Sequence, residues 1–270
     1  MAQDIFKQKF NQKSKGGVFF FGGMIALFAC LFFVAINRDW SYRAEQLVSS
    51  LGFALAYAVA TVFAVLAIRH GSLAKTNLIV SCSLLIPSFY GILFLDEPPR
   101  PTLLIGILLL VAALAMINYE KSKERSTWKW FLFVLLAFVG NGMCSTVQKM
   151  EVRHFGEEGK NMFMIVALGM VAVILFVVAL CSRDERACMK ETVKKGWLLA
   201  LLCGGVNGLC NYLVIYLNTK FPASVMFPVI SAGSVVLVFL YATLIGREKF
   251  NLRQKLGFLL GVISIVLLNL

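Results

Sequence analysis

Residues Ser83 to Glu97 read SLLIPSFYGILFLDE, and residues Ser234 to Glu248, 151 positions later, read SVVLVFLYATLIGRE. Ser, Tyr and Glu recur at the same places in both. The shared register extends from Gly52–Asn118 onto Cys203–Asn269 without a gap, and the identical positions include Ser83/Ser234, Tyr90/Tyr241, Leu93/Leu244, Glu97/Glu248, Gly106/Gly257, Leu108/Leu259, Leu109/Leu260, Val111/Val262 and Asn118/Asn269. Leu and Val match cheaply in so apolar a chain, whereas Ser, Tyr, Glu, Gly and Asn do not. The two halves are therefore read as copies. Five hydrophobic spans separate equivalent segments, and an odd number makes the second copy cross the membrane in the opposite direction. Inverted repeats of this kind are a signature of secondary transporters.

Composition sets the class. Of 270 residues 59% are hydrophobic and 15% charged, with mean hydropathy +0.81, which would leave a soluble fold with far too much apolar surface in water. The spans are A, Gly16–Ile36; B, Leu47–Ile68; C, Thr76–Leu95; D, Leu103–Asn118; E, Trp130–Val147; F, Met162–Cys181; G, Gly196–Leu217; H, Pro222–Ile245; and I, Leu256–Leu270. Most approach the roughly 20 residues needed to cross about 30 Å of hydrocarbon. Helices are the expected spanning form, because ten-residue alternating strands are absent and backbone groups in lipid need internal partners. The expected fold is an all-α membrane bundle of about nine transmembrane helices, and the longest polar connection, Arg183–Lys195, is too short to fold alone.

Gln148-Lys149-Met150 follows span E, and Gln8-Lys9-Phe10 precedes span A in a similar order. On this match Met1–Phe10 is the stub of a first helix otherwise missing from the first repeat; a basic, solvated tail is the competing reading. A shortened start and a genuine nine-span protein fit equally. The expected division is a first repeat at 1–119 with an incomplete first helix and a second repeat at 127–270.

The side of the membrane holding the N-terminus carries 19 Lys and Arg in its loops and the other side 7. By the positive-inside rule the richer side is cytoplasmic and the C-terminus lies outside. The net charge of +12 then reads as topology. The basic residues sit in short loops without a basic domain, and nucleic acid is not an expected partner.

The first copy runs from Leu73 to Leu95, ends in Asp96-Glu97 and continues after a short loop into the Gly106 helix. The second runs from Phe221-Pro222-Ala223-Ser224 through Phe227-Pro228 to Gly246-Arg247-Glu248-Lys249, then Gln254 and the Gly257 helix. This arrangement resembles the EamA-type branch of the drug/metabolite transporter superfamily over nearly the whole chain. The resemblance implies a ten-helix, 5+5 inverted-repeat transporter with a central cavity. It also implies that both termini are cytoplasmic, which the charge count opposes.

Polar residues inside the spans are the candidate substrate pathway. Ser83, Tyr90 and Glu97 are seven apart, as are Ser234, Tyr241 and Glu248, so each trio falls within about 40 degrees on one helical face. Such a stripe faces a wet cavity or pairs with neighbouring helices; Ser83, Tyr90, Ser234 and Tyr241 either line a translocation path or bind between helices. Glu97 and Glu248 read as helix-end anchors for nearby Arg or Lys. In span G, Asn207, Asn211 and Asn218 share another face, and Asn141 and Gln148 of span E offer a matching polar surface. Cavity lining is the preferred reading for these amides, which can bind many solutes without burying a charge; glue between helices is the alternative. Pro87 and Pro228 free carbonyls that bend their helices or face the cavity. Gly204-xxx-Gly208 and Gly257-xxx-Gly261 permit close packing. No acidic residue falls near the middle of spans B to I, so no buried carboxylate to carry a coupling proton is expected.

Seven Cys form no CxxC pair, and His70 and His154 stand alone at loop edges, so no metal or other cofactor is expected. No phosphate-cradling glycine loop is present. The leading expectation is a multi-pass secondary transporter of the cell membrane, moving a small metabolite or drug-like solute by alternating access. The alternative is a membrane-embedded enzyme or structural subunit, but the clustered His, Asp or Glu such an enzyme needs are missing, and no enzyme activity is expected. Expected partners are a small-molecule solute and the lipid bilayer; the oligomeric state is open, a homodimer included.

Overall fold

A computed structural model describes residues 17–71, 76, 79–98, 101–117, 128–244 and 251–269; the side chains of 103, 114, 117, 234–244, 265, 266, 268 and 269 lie outside that description. The N-terminal stub expected at Met1–Phe10 also lies outside it. Among the described residues are nine α-helices and no strand: α1 Val18–Ile36, α2 Gln46–His70, α3 Leu85–Phe94, α4 Pro101–Ile117, α5 Trp128–Phe155, α6 Lys160–Cys181, α7 Arg183–Lys220, α8 Ala223–Leu244 and α9 Leu252–Asn269, with a 3-10 turn at Cys82–Leu84 before α3. Helices α1, α2, α5, α6 and α7 are each long and apolar enough to cross a membrane, and shorter apolar stretches lie in α3, α4 and α8. Large apolar side chains stand exposed along them, Leu31, Leu108 and Val206 among others. In water that surface would be a liability, whereas in hydrocarbon it meets its own kind.

Three sequence boundaries are corrected. Span E does not stop at Val147, because α5 carries on through Gln148, Lys149 and Glu151 to Phe155. The polar stretch Arg183–Lys195 is helical and forms the first third of α7; its charges mark where the helix leaves the apolar phase. Span C is not one regular helix. Pro87 has no N–H to give to the carbonyl of Ser83, and the helix tightens into the 3-10 turn at that point.

The described structure falls into two compact units, each drawing on both halves of the sequence. One takes the residues up to Thr61 with Val147–Thr219, the other Val62–Thr146 with Lys220 onward. Within each unit, helices related by the duplication lie against one another. In the first, α1 packs along α6, with Phe20 and Phe176 rings 5.2 Å apart. In the second, α4 packs along α9, and the Ser264 hydroxyl donates to the Gly106 carbonyl at 2.8 Å. Ser231 of α8 likewise reaches the Ser81 carbonyl, at 3.5 Å. Pairing of equivalent helices is compatible with a two-fold relation between inverted copies. Small residues make it close: β-carbons at Gly204 and Gly208 of α7 would press into Phe28 and Phe32 of α1, so this small-xxx-small pair serves packing within the chain.

Helix ends are fixed by carboxylates brought from far along the sequence. Helix α1 begins at Gly17 without a side-chain cap of its own. Instead the backbone N–H groups of Val18, Phe19 and Phe20 donate to the buried Glu185 carboxylate at 3.1, 3.1 and 3.2 Å. Glu97 does the same for α8, accepting from Ala223 and Ser224 N–H at 2.8 Å each. A left-handed turn at Asp96 (φ 54) aims it there, and Gly91 makes room, since a β-carbon would sit 2.8 Å from the Glu97 carboxyl carbon. Glu97 is thus a helix-end anchor as expected, but its partners are backbone donors rather than Arg or Lys: a negative charge at the positive end of a helix macrodipole. Glu248 lies outside the described residues.

Replacing Glu185 by Ala strands three helix-end donors and is expected to cost about 1–3 kcal/mol, read as a lower unfolding midpoint in detergent. Glu191→Ala, which removes an exposed partner of Lys195, serves as the control and should change stability by less than about 1 kcal/mol.

Candidate functional site

Helix α5 carries the polar residues of the candidate site. In the first unit Gln148 is buried, and its Nε2 donates to Asn211 Oδ1 of α7 at 3.0 Å, with Met164 Sδ at 3.7 Å. Asn211 Nδ2 passes the chain on to Asn207, to its carbonyl at 2.9 Å and its Oδ1 at 3.1 Å. Three amides from two helices therefore form one directional series, Gln148 to Asn211 to Asn207. The Asn207 side-chain nitrogen is left without a protein partner among the described residues. Asn218, the third amide of the stripe, is 3% exposed; neither its Oδ1 nor its Nδ2 has a partner among the described residues, while its carbonyl accepts from the buried Lys149 Nζ at 3.2 Å.

The second unit holds the other pair. Asn141 Nδ2 donates to Ser83 Oγ at 2.6 Å. Beside it, Gly142 lets α5 approach the Ser83 carbonyl, the one that Pro87 leaves without its helical donor. Tyr90 is half-buried and stacks on Phe94 with ring centroids 5.2 Å apart. The side chains of Ser234 and Tyr241 lie outside the described residues. The structure thus joins Gln148, Asn207 and Asn211 in one cluster and Asn141 and Ser83 in another, and leaves Tyr90 in neither.

At the end of α1 in the first unit lies a cavity of ≈ 440 Å³, lined among others by Ile36, Asn37, Asp39, Lys160, Asn161 and Tyr212. Both polar atoms of the Asn37 side chain and Asn161 Oδ1 are buried there without a protein partner, so the cavity presents donors and acceptors to whatever fills it. The Asp39 carboxyl is held below the usual carboxylate range by the Ser41 backbone N–H and then by the Ser41 hydroxyl. The described residues contain no group of three or more His, Cys, Asp and Glu suited to a metal.

A family model described as the EamA-like transporter family matches residues 5–119 and 128–270. The chain belongs to the EamA-like transporter family. One solved crystal structure aligns with a TM-score of 0.77 and 14% sequence identity, over 93% of this chain and 88% of the other; at that identity the likeness is one of fold. No curated protein matches the chain in sequence. This EamA-like chain is an integral membrane protein of the drug/metabolite transporter type.

The buried polar residues that the sequence did not single out include Gln46, Lys149, Glu151 and Glu185. Each stands in a polar flank that looks like loop, just outside the apolar run of a span. The available signal was Gln148 itself, since a helix polar enough to need a partner there has reason to continue.

The amide series predicts a measurable coupling. Gln148→Leu and Asn211→Leu should each lower stability by about 1–3 kcal/mol, and the double variant by less than the sum, with a coupling of about 0.5–3 kcal/mol. Strictly additive losses in detergent unfolding would show that the two amides do not meet.

Proposed function

We propose that this EamA-like protein is a secondary transporter of the cell membrane that moves a small metabolite or drug-like solute by alternating access, its two repeats, 1–119 and 127–270, rocking about a site lined by amides. The observation that carries this reading is the series Gln148–Asn211–Asn207, set in apolar helices and ending on an amide nitrogen with no protein partner among the described residues. A polar series in lipid that served only to join helices would close on itself; this one ends on an open donor. Asn218 and the Asn37–Asn161 cavity supply further unpartnered amide groups in the same unit. Amides donate and accept at once, which suits a neutral or dipolar solute and carries no charge penalty in an apolar phase. Ser83, Tyr90, Asn141, Ser234 and Tyr241 are proposed to line the same path.

Two results are expected. Purified protein in vesicles should move one or more members of a panel of amino acids, sugars, nucleobases and cationic drugs. Asn207→Ala should cut that transport about tenfold, the worth of one hydrogen bond of roughly 1.4 kcal/mol. Its stability should stay close to that of the unmodified protein, because Asn211 Nδ2 keeps the Asn207 carbonyl as acceptor. Equal loss of folded protein and transport would make Asn207 a structural residue.

The charge bias supports an orientation with the C-terminus outside the cytoplasm. A reporter fused after Leu270 should score extracytoplasmic, and a cytoplasmic score would reverse the orientation.

A further inference from the structure

Glu151 and Glu185 are the most deeply buried charged side chains among the described residues, and Glu151 is the one whose carboxyl caps no helix. It lies one turn beyond Gln148 on α5, is 1% exposed, and accepts a hydrogen bond from Gln46 Nε2 at its Oε1 at 2.7 Å, with the Ser49 hydroxyl close by. The direction of that bond is fixed independently. Gln46 Oε1 accepts from the Arg43 backbone N–H at 2.9 Å, so the amide must present its nitrogen to Glu151. Gly159, itself left-handed at φ 67, holds the amide in place; a β-carbon there would lie 3.0 Å from both Gln46 side-chain polar atoms. Glu151 Oε1 is therefore an acceptor only, and a proton on this carboxyl has one place to go. That place is Oε2, which is buried and has no hydrogen-bond partner among the described residues.

The surroundings do not compensate a charge. From α2 the neutral side chains of Gln46 and Ser49 face the carboxyl, and on its own helix the nearest titratable group acting on it is His154, exposed and one turn away. The Arg43 guanidinium is taken by Glu158 at 2.9 Å, and Lys149 directs its Nζ to the Asn218 carbonyl. A buried carboxylate facing only neutral donors and a distant, exposed imidazole is costly, and the neutral acid is less so. Water reaching the end of α5 reverses that balance. The group is thus suited to take a proton when occluded and to release it when wet.

We propose that Glu151 is the proton-binding group that couples transport, carrying one proton on Oε2. The proton is taken from bulk water on one side of the membrane and returned to bulk water on the other; the O–H bond is the only bond made or broken. The link to the solute is α5 itself. Glu151 and Gln148 are three residues apart, neighbours on one helical face, so a shift of the Glu151 side chain on protonation is felt at the first amide of the series. The coupling rests on the transport reading given above, whereas the proton site does not.

The test separates the two. Infrared spectra of the purified full-length protein, taken across neutral and acidic pH without any solute, should contain a protonated-carboxyl band that is lost in Glu151→Gln and kept in Glu151→Asp. In vesicles, each member of the solute panel that the unmodified protein accumulates under a pH gradient should no longer be accumulated by Glu151→Gln, while exchange of that solute at equal pH persists. Identical infrared spectra for the unmodified protein and Glu151→Gln overturn the proton site, whatever the transport result. Gradient-driven accumulation that survives in Glu151→Gln overturns the coupling. Should Glu151→Gln fail to fold, Glu151→Asp decides: an acid at this position must retain both the band and the response to the gradient. If no panel member is moved by the unmodified protein, the transport reading fails while the infrared comparison still judges Glu151.

Discussion

Hydrocarbon offers no hydrogen bonds, and this absence organises the molecule from its helix ends inward. A helix satisfies its own middle, but its first turn always presents donors that nothing in the same helix can accept. Here the solution is long-range: Glu185 of α7 closes the start of α1, and Glu97 after α3 closes the start of α8. Each contact joins segments more than a hundred residues apart and sets where a helix begins. The packing of α1 against α6 and of α8 against its neighbours then proceeds from fixed ends.

The same constraint explains why packing relies on shape rather than on hydrophobicity. Lipid tails are as apolar as Leu, so helices gain from meeting only where their surfaces fit. Glycines that admit Phe28 and Phe32, and a serine hydroxyl that reaches the Gly106 carbonyl, provide that fit. Because the chain is a duplication, complementary surfaces arise between equivalent helices, and α1 with α6 and α4 with α9 are the result.

Against that background, polar groups left unpartnered in the first unit stand out. Where the fold needed satisfaction it supplied it within 2.8–3.2 Å, as at Glu185 and Glu97. At the Asn218 side chain, Asn37, one oxygen of Asn161 and one oxygen of Glu151 it did not, among the described residues. A chain able to bring a carboxylate 167 residues to a helix end has the means to bury or pair these groups as well. Under the proposed function these are the groups that a solute, water or a proton would meet.

The apolar spans, the helical fold and the inverted duplication were legible in the sequence, because the cost of apolar surface in water and of unpaired backbone in lipid depends only on local composition and length, and because Ser83, Tyr90 and Glu97 recur in register at Ser234, Tyr241 and Glu248. The amide stripe on α7 was legible for a similar reason, since helical periodicity places Asn207, Asn211 and Asn218 on one face. Partners were not. That Asn211 meets Gln148, that Glu97 seeks backbone N–H groups rather than a cation, and that Glu151 lies buried against Gln46 are relations between residues far apart in the chain, and no local property encodes them. The end of α5 shows the limit most plainly: a charged residue just past an apolar span reads as solvent-exposed, and only the close approach of α2 and of the Gly159 turn to α5 turned it into a buried acid.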